Sequence, residues 1–332
     1  MTPAPNFLNR RQLLAAGAAW AAAGLPGAAH AQADYPSRPI TVIVPYAPGG
    51  QGDVFARIVG ERLARSLGQP MVVDNKPGAS GALGARLLAK ARGDGYTLML
   101  GQTGEVAVNR SAMKNPGYDS LADFRPVALV GNAPLVLAAP AAAPYNTLAE
   151  LLQLARSKPG SVSYASSGTA TPGHLAAAAL ALGTRTEMVH IPYKGAGQAI
   201  TDLIAGQVQF FFSSASAIMP HVKGGKVKAL AVSSSRRLAA LPNVPTVAEA
   251  AVPGFEFSLW GGYFAPKDTP DAVVNRLNAE VNKAIAEADL HARLEADGSA
   301  VAPMSAQAFA AFVRAEMDKY ARLVKETGAQ VD

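Results

Sequence analysis

The chain of 332 residues contains no cysteine. Disulfide bonds, thiolate catalysis and cysteine-ligated zinc or iron–sulfur centres are therefore excluded. Charged residues make up only 16%, and neither a basic run nor an aromatic-spaced basic stripe occurs. Without that footprint no nucleic-acid partner is expected, even at a net charge of +6. Catalytic signatures are missing as well. Ser166-Ser167-Gly168 lacks the leading glycine of a nucleophile elbow, and there is no P-loop. Neither Gly78-Ala79-Ser80-Gly81-Ala82-Leu83-Gly84 nor Gly195-Ala196-Gly197 has the spacing of a dinucleotide fingerprint. His174, His190, His221 and His291 are scattered, with no pair four residues apart to hold zinc. No cofactor and no metal are expected.

Apolar material is plentiful, at 49% of residues, and this length exceeds the usual size of one core, so two lobes are expected. Part of the excess lies at the amino terminus. Asn9-Arg10-Arg11-Gln12-Leu13-Leu14 begins a twin-arginine pattern, an alanine-rich apolar run continues to Leu25, and Ala29-His30-Ala31 fits a small-residue cleavage site. That order is the grammar of an export signal, which makes 1–31 a leader and Gln32 the first mature residue. The apolar run is short of the roughly 20 residues that span a bilayer.

Beyond it, short β-branched runs alternate with helical patterns. Ile40–Val44, Met71–Val73 and Thr97–Leu100 read as strands, with helices from the turn at Pro45–Gly52 to Leu67 and over Ala82–Ala91. The pattern repeats with strands at Leu135–Leu137, Val162–Tyr164, Met188–Ile191, Val208–Phe212 and Val227–Val232. Thr147 to Glu150 and Thr246 to Glu249 are capping boxes, and Thr171-Pro172 is a helix start. Strand–helix alternation predicts an α/β fold with parallel sheets covered on both faces. The tail is helical: Thr269-Pro270 opens one helix, and Ser305 caps another to Thr327, whose buried stripe includes Phe309, Val313 and Tyr320.

Two glycine- and hydroxyl-rich loops each join a strand to a helix. They are Ala47-Pro48-Gly49-Gly50-Gln51-Gly52-Asp53 and Ser166-Ser167-Gly168-Thr169-Ala170-Thr171. A first helical turn leaves backbone N–H groups unpaired and positively polarised, an anion site that needs no lysine or arginine. Either loop could equally be an ordinary turn. Asp53, in a first helical turn, reads better as a dipole partner than as a contact to an anion.

Seven blocks stand in one order along the chain: VPYAPGGQGD from Val44, VVDNKPGASGALGA from Val72, GDGYTLMLG from Gly93, KPGSVSYASSGTATPGHL from Lys158, VHIPYKGAGQAITDLIAGQV from Val189, GKVKALAVSSSRR from Gly225 and LPNVPTVAEAAVPGFE from Leu241. Together they resemble the extracytoplasmic solute receptors of tripartite tricarboxylate transporters, from about Tyr35 to the carboxyl terminus. The resemblance implies a two-lobed, type II-like periplasmic binding protein fold, with two doubly wound sheets joined by two crossover strands. One lobe would comprise 32–132 plus 254–332, the other 133–253. It further implies a monomeric, non-enzymatic periplasmic receptor that delivers a small organic acid (a dicarboxylate, an amino acid or an aromatic carboxylate) to membrane permease subunits. The family's site carries over to Ala47, Gly49, Gly50 and Asp53 on one side and Ser166, Ser167, Gly168, Thr169 and His174 on the other. Gln102, Thr103, Tyr193 and Ser213 are further candidates, as is Tyr46, where relatives often carry phenylalanine. Ser213 and Ser214 stand where many relatives have an aspartate, which argues against an amine-bearing ligand. Two alternatives remain open: a ligand sensor for a membrane signalling partner, and a periplasmic hydrolase using Ser166 or Ser167, which would need a base within hydrogen-bond reach.

Overall fold

In the computed structural model, residues 35–296 and 298–330 are described. Residues 1–37 form one unit and 38–332 another; of the first, only 35–37 are described. The leader, its arginine pair and the cleavage position thus lie outside the described residues. The second unit is an α/β assembly built on one sheet.

The chain opens with strand β1 (Ile40–Val44), helix α1 (Gln51–Leu67), β2 (Met71–Asn75), α2 (Ala82–Ala89) and β3 (Thr97–Gln102). α1 ends where Gly68 adopts a left-handed conformation and its N–H closes on Ala64 O. β2, β1 and β3 pair in parallel. A π-helical turn, Gly104–Val108, and the short α3 (Asn109–Ala112) lead into β4, a 17-residue strand from Phe124 to Pro140. β4 belongs to both halves of the sheet. Phe124 to Pro134 pair with one partner and Leu135 to Pro140 with two others.

The second half holds α4 (Leu148–Ser157), β5 (Val162–Ser166), α5 (Pro172–Thr184), β6 (Met188–Pro192), α6 (Ala196–Ile204), β7 (Phe210–Ser214), α7 (Ala215–Lys223), β8 (Val227–Val232) and α8 (Val247–Ala250). β9 (Ser258–Pro266) then returns to the first half between β3 and β4, followed by α9 (Asp271–Ala286), α10 (Ala288–Ala296) and α11 (Ala306–Thr327). The resulting order is β2-β1-β3-β9-β4-β7-β5-β6, with β8 also on β4. The expected parallel pairing holds within β2-β1-β3 and β6-β5-β7. It gives way to antiparallel ladders at β4, β8 and β9, because β4 and β9 run between the halves against the direction of their neighbours.

Strand parity sets the cores. Leu135, Leu137, Phe210 and Phe212 point into one apolar cluster that continues to Trp260, Phe264, Phe309 and Tyr320. Val136, Ala138 and Phe211 point into another, under Ile200, Leu203 and Ile218. The aromatic stripe of α11 is core, as its period predicts: Phe309 and Tyr320 are fully buried against β9, and Tyr320 donates to Ser258 O at 2.8 Å.

Candidate functional site

Four helices begin around one cleft. α1, α5, α6 and α7 start at Gln51, Pro172, Ala196 and Ala215, and none has a side-chain cap. Of the helices that start elsewhere, α4, α8 and α11 are capped by Thr147, Thr246 and Ser305, whereas α2, α3 and α9 are not. Capping side chains satisfy the free N–H groups of a first turn, so their absence at these four starts leaves donors and positive dipole ends open to the cleft. The lining confirms the convergence, since Gly50 and Gln51, then Thr171, Pro172 and Gly173, then Ala196, and then Ser214 all face it. The space enclosed is about 540 Å³, open solvent at the mouth included.

Of the residues expected at the site, Tyr46, Ala47, Gly50, Gln102 and Ser167 line the cleft. Gly49 and Asp53 hold the first loop instead. Gly49, at φ +89°, donates its N–H to Asp53 Oδ2 at 3.1 Å, and the same carboxylate accepts from Arg57 Nε (3.0 Å) and Asn75 Nδ2 (3.1 Å). Burial opposes the Asp53 charge, but these donors outweigh it and hold its pKa below the usual range. Thr103 is turned to Trp260, whose N–H reaches its Oγ1 at 3.0 Å. Tyr193 donates to Asp202 Oδ2 at 2.8 Å, away from the lining. Ser213 is buried with an unpartnered Oγ, while its neighbours Phe212 and Ser214 reach the cleft. Successive strand residues alternate sides, so Ser214 rather than Ser213 faces the cleft.

Ser166, Gly168, Thr169 and His174 shape the second loop from behind. Ser166 Oγ donates to Gly168 O at 2.8 Å and lies 2.7 Å from His190 Nε2. When the Ser166 proton goes to Gly168 O, the hydroxyl accepts from an Nε2–H tautomer of His190. A base is thus near Ser166, yet in this network it acts as a donor, and the serine is fully buried, turned from the cleft. The His174 ring stacks on His190 with centroids 3.8 Å apart, and its Nδ1 accepts the Ala170 N–H at 2.9 Å. Burial, with His190 adding to it, lowers His174 to about 3; burial lowers His190 to about 4. Both rings are neutral.

No charged side chain lines the cleft. Gln102 Nε2 donates to Gln51 Oε1 at 3.2 Å, and Gln51 Nε2 to Leu259 O at 3.0 Å, so the two amides form a braced edge. Leu135, Phe212, Pro172 and Leu259 add an apolar part to the lining. Gly173, Ala196 and the apolar residues are not expected from sequence, while Gln51, Thr171 and Ser214 stand in the loops and strand end singled out by sequence but not among the site candidates. Only the uncapped helix starts could have signalled that Gln51, Thr171, Gly173, Ala196 and Ser214 line the cleft.

Two half-sheets joined through β4 and β9, with helix starts gathered at the strand ends between them, define a periplasmic solute-binding protein. The family model described as the tripartite tricarboxylate transporter family receptor matches residues 55–329, and the chain belongs to that family. Protein BugT of Bordetella pertussis is 37% identical over 327 residues, covering 98% of this chain and all of BugT. The structure of the periplasmic binding protein BugD superposes with a TM-score of 0.85 at 34% identity, covering 89% of this chain and 99% of that one. R. palustris Rpa4515, solved with adipate, has a TM-score of 0.87 at 33% identity, covering 90% of this chain and 100% of that one. The chain is a solute-binding receptor, not an enzyme.

Proposed function

We propose that this receptor works in the periplasm, closing two lobes over a carboxylate group of a small organic acid and presenting it to the permease subunits of a tripartite transporter. The observation that carries the reading is the meeting of four uncapped helix starts at a cleft lined by no charged side chain. Backbone donors from Ala47 to Gln51 and from the first turn of α5, with the hydroxyls of Tyr46 and Ser167, supply what a carboxylate needs. The apolar part of the lining suits the body of the acid, and the side-chain amides of Gln51 and Gln102 a further polar group. Adipate, bound by the R. palustris relative, has that character. The partition into 32–132 plus 254–332 and 133–253 is supported by β4, which changes partners between Pro134 and Leu135. The leader pattern of 1–31 supports export and removal near Ala31.

A thermal-shift screen of adipate, malate, benzoate and nicotinate tests the reading. An acid at 100 times its Kd stabilises the native state by about 2.7 kcal/mol, and its carboxamide analogue is expected to give no shift. Equal stabilisation by acid and amide would mean that the helix starts do not hold a carboxylate.

A further inference from the structure

Glu105 sits in the π-helical turn Gly104–Val108, fully buried. It stands behind two residues of the cleft wall. Its Oε1 accepts the backbone N–H of Gln102 at 2.5 Å, while Oε2 has no hydrogen-bond partner. The Tyr46 hydroxyl converges on the same space, since a Cβ on Gly81 would lie 3.0 Å from Glu105 Oε2 and 3.1 Å from Tyr46 Oη. That hydroxyl makes a long contact to Ser80 O at 3.4 Å and interacts with the Glu105 carboxyl, which raises the Tyr46 pKa further beyond the effect of burial.

We propose that Glu105 is a positioning residue whose proton couples to ligand binding: protonated, it donates from Oε2 to the Tyr46 hydroxyl and leaves the Tyr46 O–H free for the incoming carboxylate. Ionised, it would draw the Tyr46 O–H back onto itself and put a negative charge behind the wall. An anion entering the cleft then requires one proton to be taken up at Glu105. The inference rests on the carboxylate reading above.

Apart from the Gln102 N–H and the Tyr46 hydroxyl, the polar groups packed around the turn are bonded elsewhere. Tyr118 Oη donates to the backbone O of Glu105 at 2.6 Å, not to its carboxyl. Arg86 on α2 is bonded to Pro116 O, and Arg110 on α3 to Asp119. On α11, which packs on the turn, Glu316 is held by Trp260 Nε1 and Lys319, and Tyr320 by Ser258 O. Burial raises the Glu105 carboxyl to about 7, against the opposing pull of the Gln102 N–H, its own backbone N–H and the Tyr46 hydroxyl.

The test is calorimetric titration of the mature full-length receptor with adipate, or the tightest acid of the screen, from pH 6 to 8.5, in buffers of different ionisation enthalpy. Net proton uptake is expected near and above pH 7, with Kd rising by up to about tenfold per pH unit at the alkaline end. Glu105→Gln keeps a donor beside Tyr46 and cannot ionise, so it should bind at pH 8.5 as at pH 6, without proton uptake. Tyr46→Phe should lose affinity at pH 6 and flatten the profile. Binding with no proton linkage in the wild type, or with linkage persisting in Glu105→Gln, overturns this inference and leaves the carboxylate reading standing. Failure of every acid to bind overturns both.

Discussion

At the scale of single residues, the second loop depends on a pair of histidines that do not touch the ligand site. Their stacking at 3.8 Å leaves no room for two positive charges, and Tyr164 and Phe210 continue the stack behind them. Both rings have folded pKa values below the ordinary 6.5. The unfolded chain therefore binds more protons as pH falls, and the stability these groups contribute is present above pH 6.5 and lost toward pH 4. Glu105 tilts the other way. Its folded value is raised, so its contribution is complete below about pH 4.5 and lost as pH rises through 7. The difference between wild type and His190→Gln isolates His190, because glutamine keeps a donor for Ser166 and does not titrate. Chemical denaturation at pH 6.5 and pH 4 should show the wild type losing on the order of a few kcal/mol more than the variant. Equal losses would place the acid sensitivity elsewhere.

At the scale of elements, the functional feature is where helices begin. Thr171 was legible as a start because Pro172 suits the first helical position, and Gly68 and the Thr147 and Thr246 boxes were legible as local chemistry. β9 was not legible from the residues, since its Gly261-Gly262 centre breaks any alternation; it exists because Phe55 and Phe309 pack where those side chains would be. Nor could spacing alone reveal that Thr171 spends its hydroxyl on Gly168 O at 2.8 Å rather than on its own helix. That bond is what leaves the α5 start open. The start is also fitted closely to β7, for a Cβ on Gly173 would lie 2.5 Å from the Phe212 carbonyl oxygen, a backbone atom that cannot swing away. Gly173→Ala should cost about 1–3 kcal/mol by overpacking and abolish ligand binding. In α6, a Cβ on Gly197 meets nothing within 4 Å, so Gly197→Ala should hold or raise stability by up to about 1 kcal/mol. Thermal melts with and without adipate distinguish the pair; equal behaviour of the two variants would refute the packing account.

At the scale of the whole receptor unit, what matters is how the two halves meet over the cleft. Ser80 Oγ donates to Thr169 O at 2.7 Å, one hydrogen bond across the gap. Beside it the second loop presses close, since a Cβ on Gly168 would lie 3.2 Å from Ser80 Oγ, and one on Gly195 would lie 3.2 Å from Ala47 Cβ. Ser80 holds a left-handed conformation, φ 50° and ψ 41°, costly for a residue other than glycine. Its neighbours secure it there: Ser80 O accepts from Asn109 Nδ2 at 3.0 Å. Such strain is retained where the surroundings over-determine it, and here it aims a hydroxyl at the opposite half. A bond made only when the halves are together stabilises the loaded form against opening, so its loss should appear in release rather than capture. Ser80→Ala is therefore expected to raise the ligand off-rate about 3–10-fold, matching a net hydrogen-bond contribution of about 0.5–1.5 kcal/mol, with the on-rate little changed. Stopped-flow displacement of adipate measures both. An unchanged off-rate would show that Ser80 and Thr169 merely adjoin, and that the halves are kept together by contacts with the ligand alone.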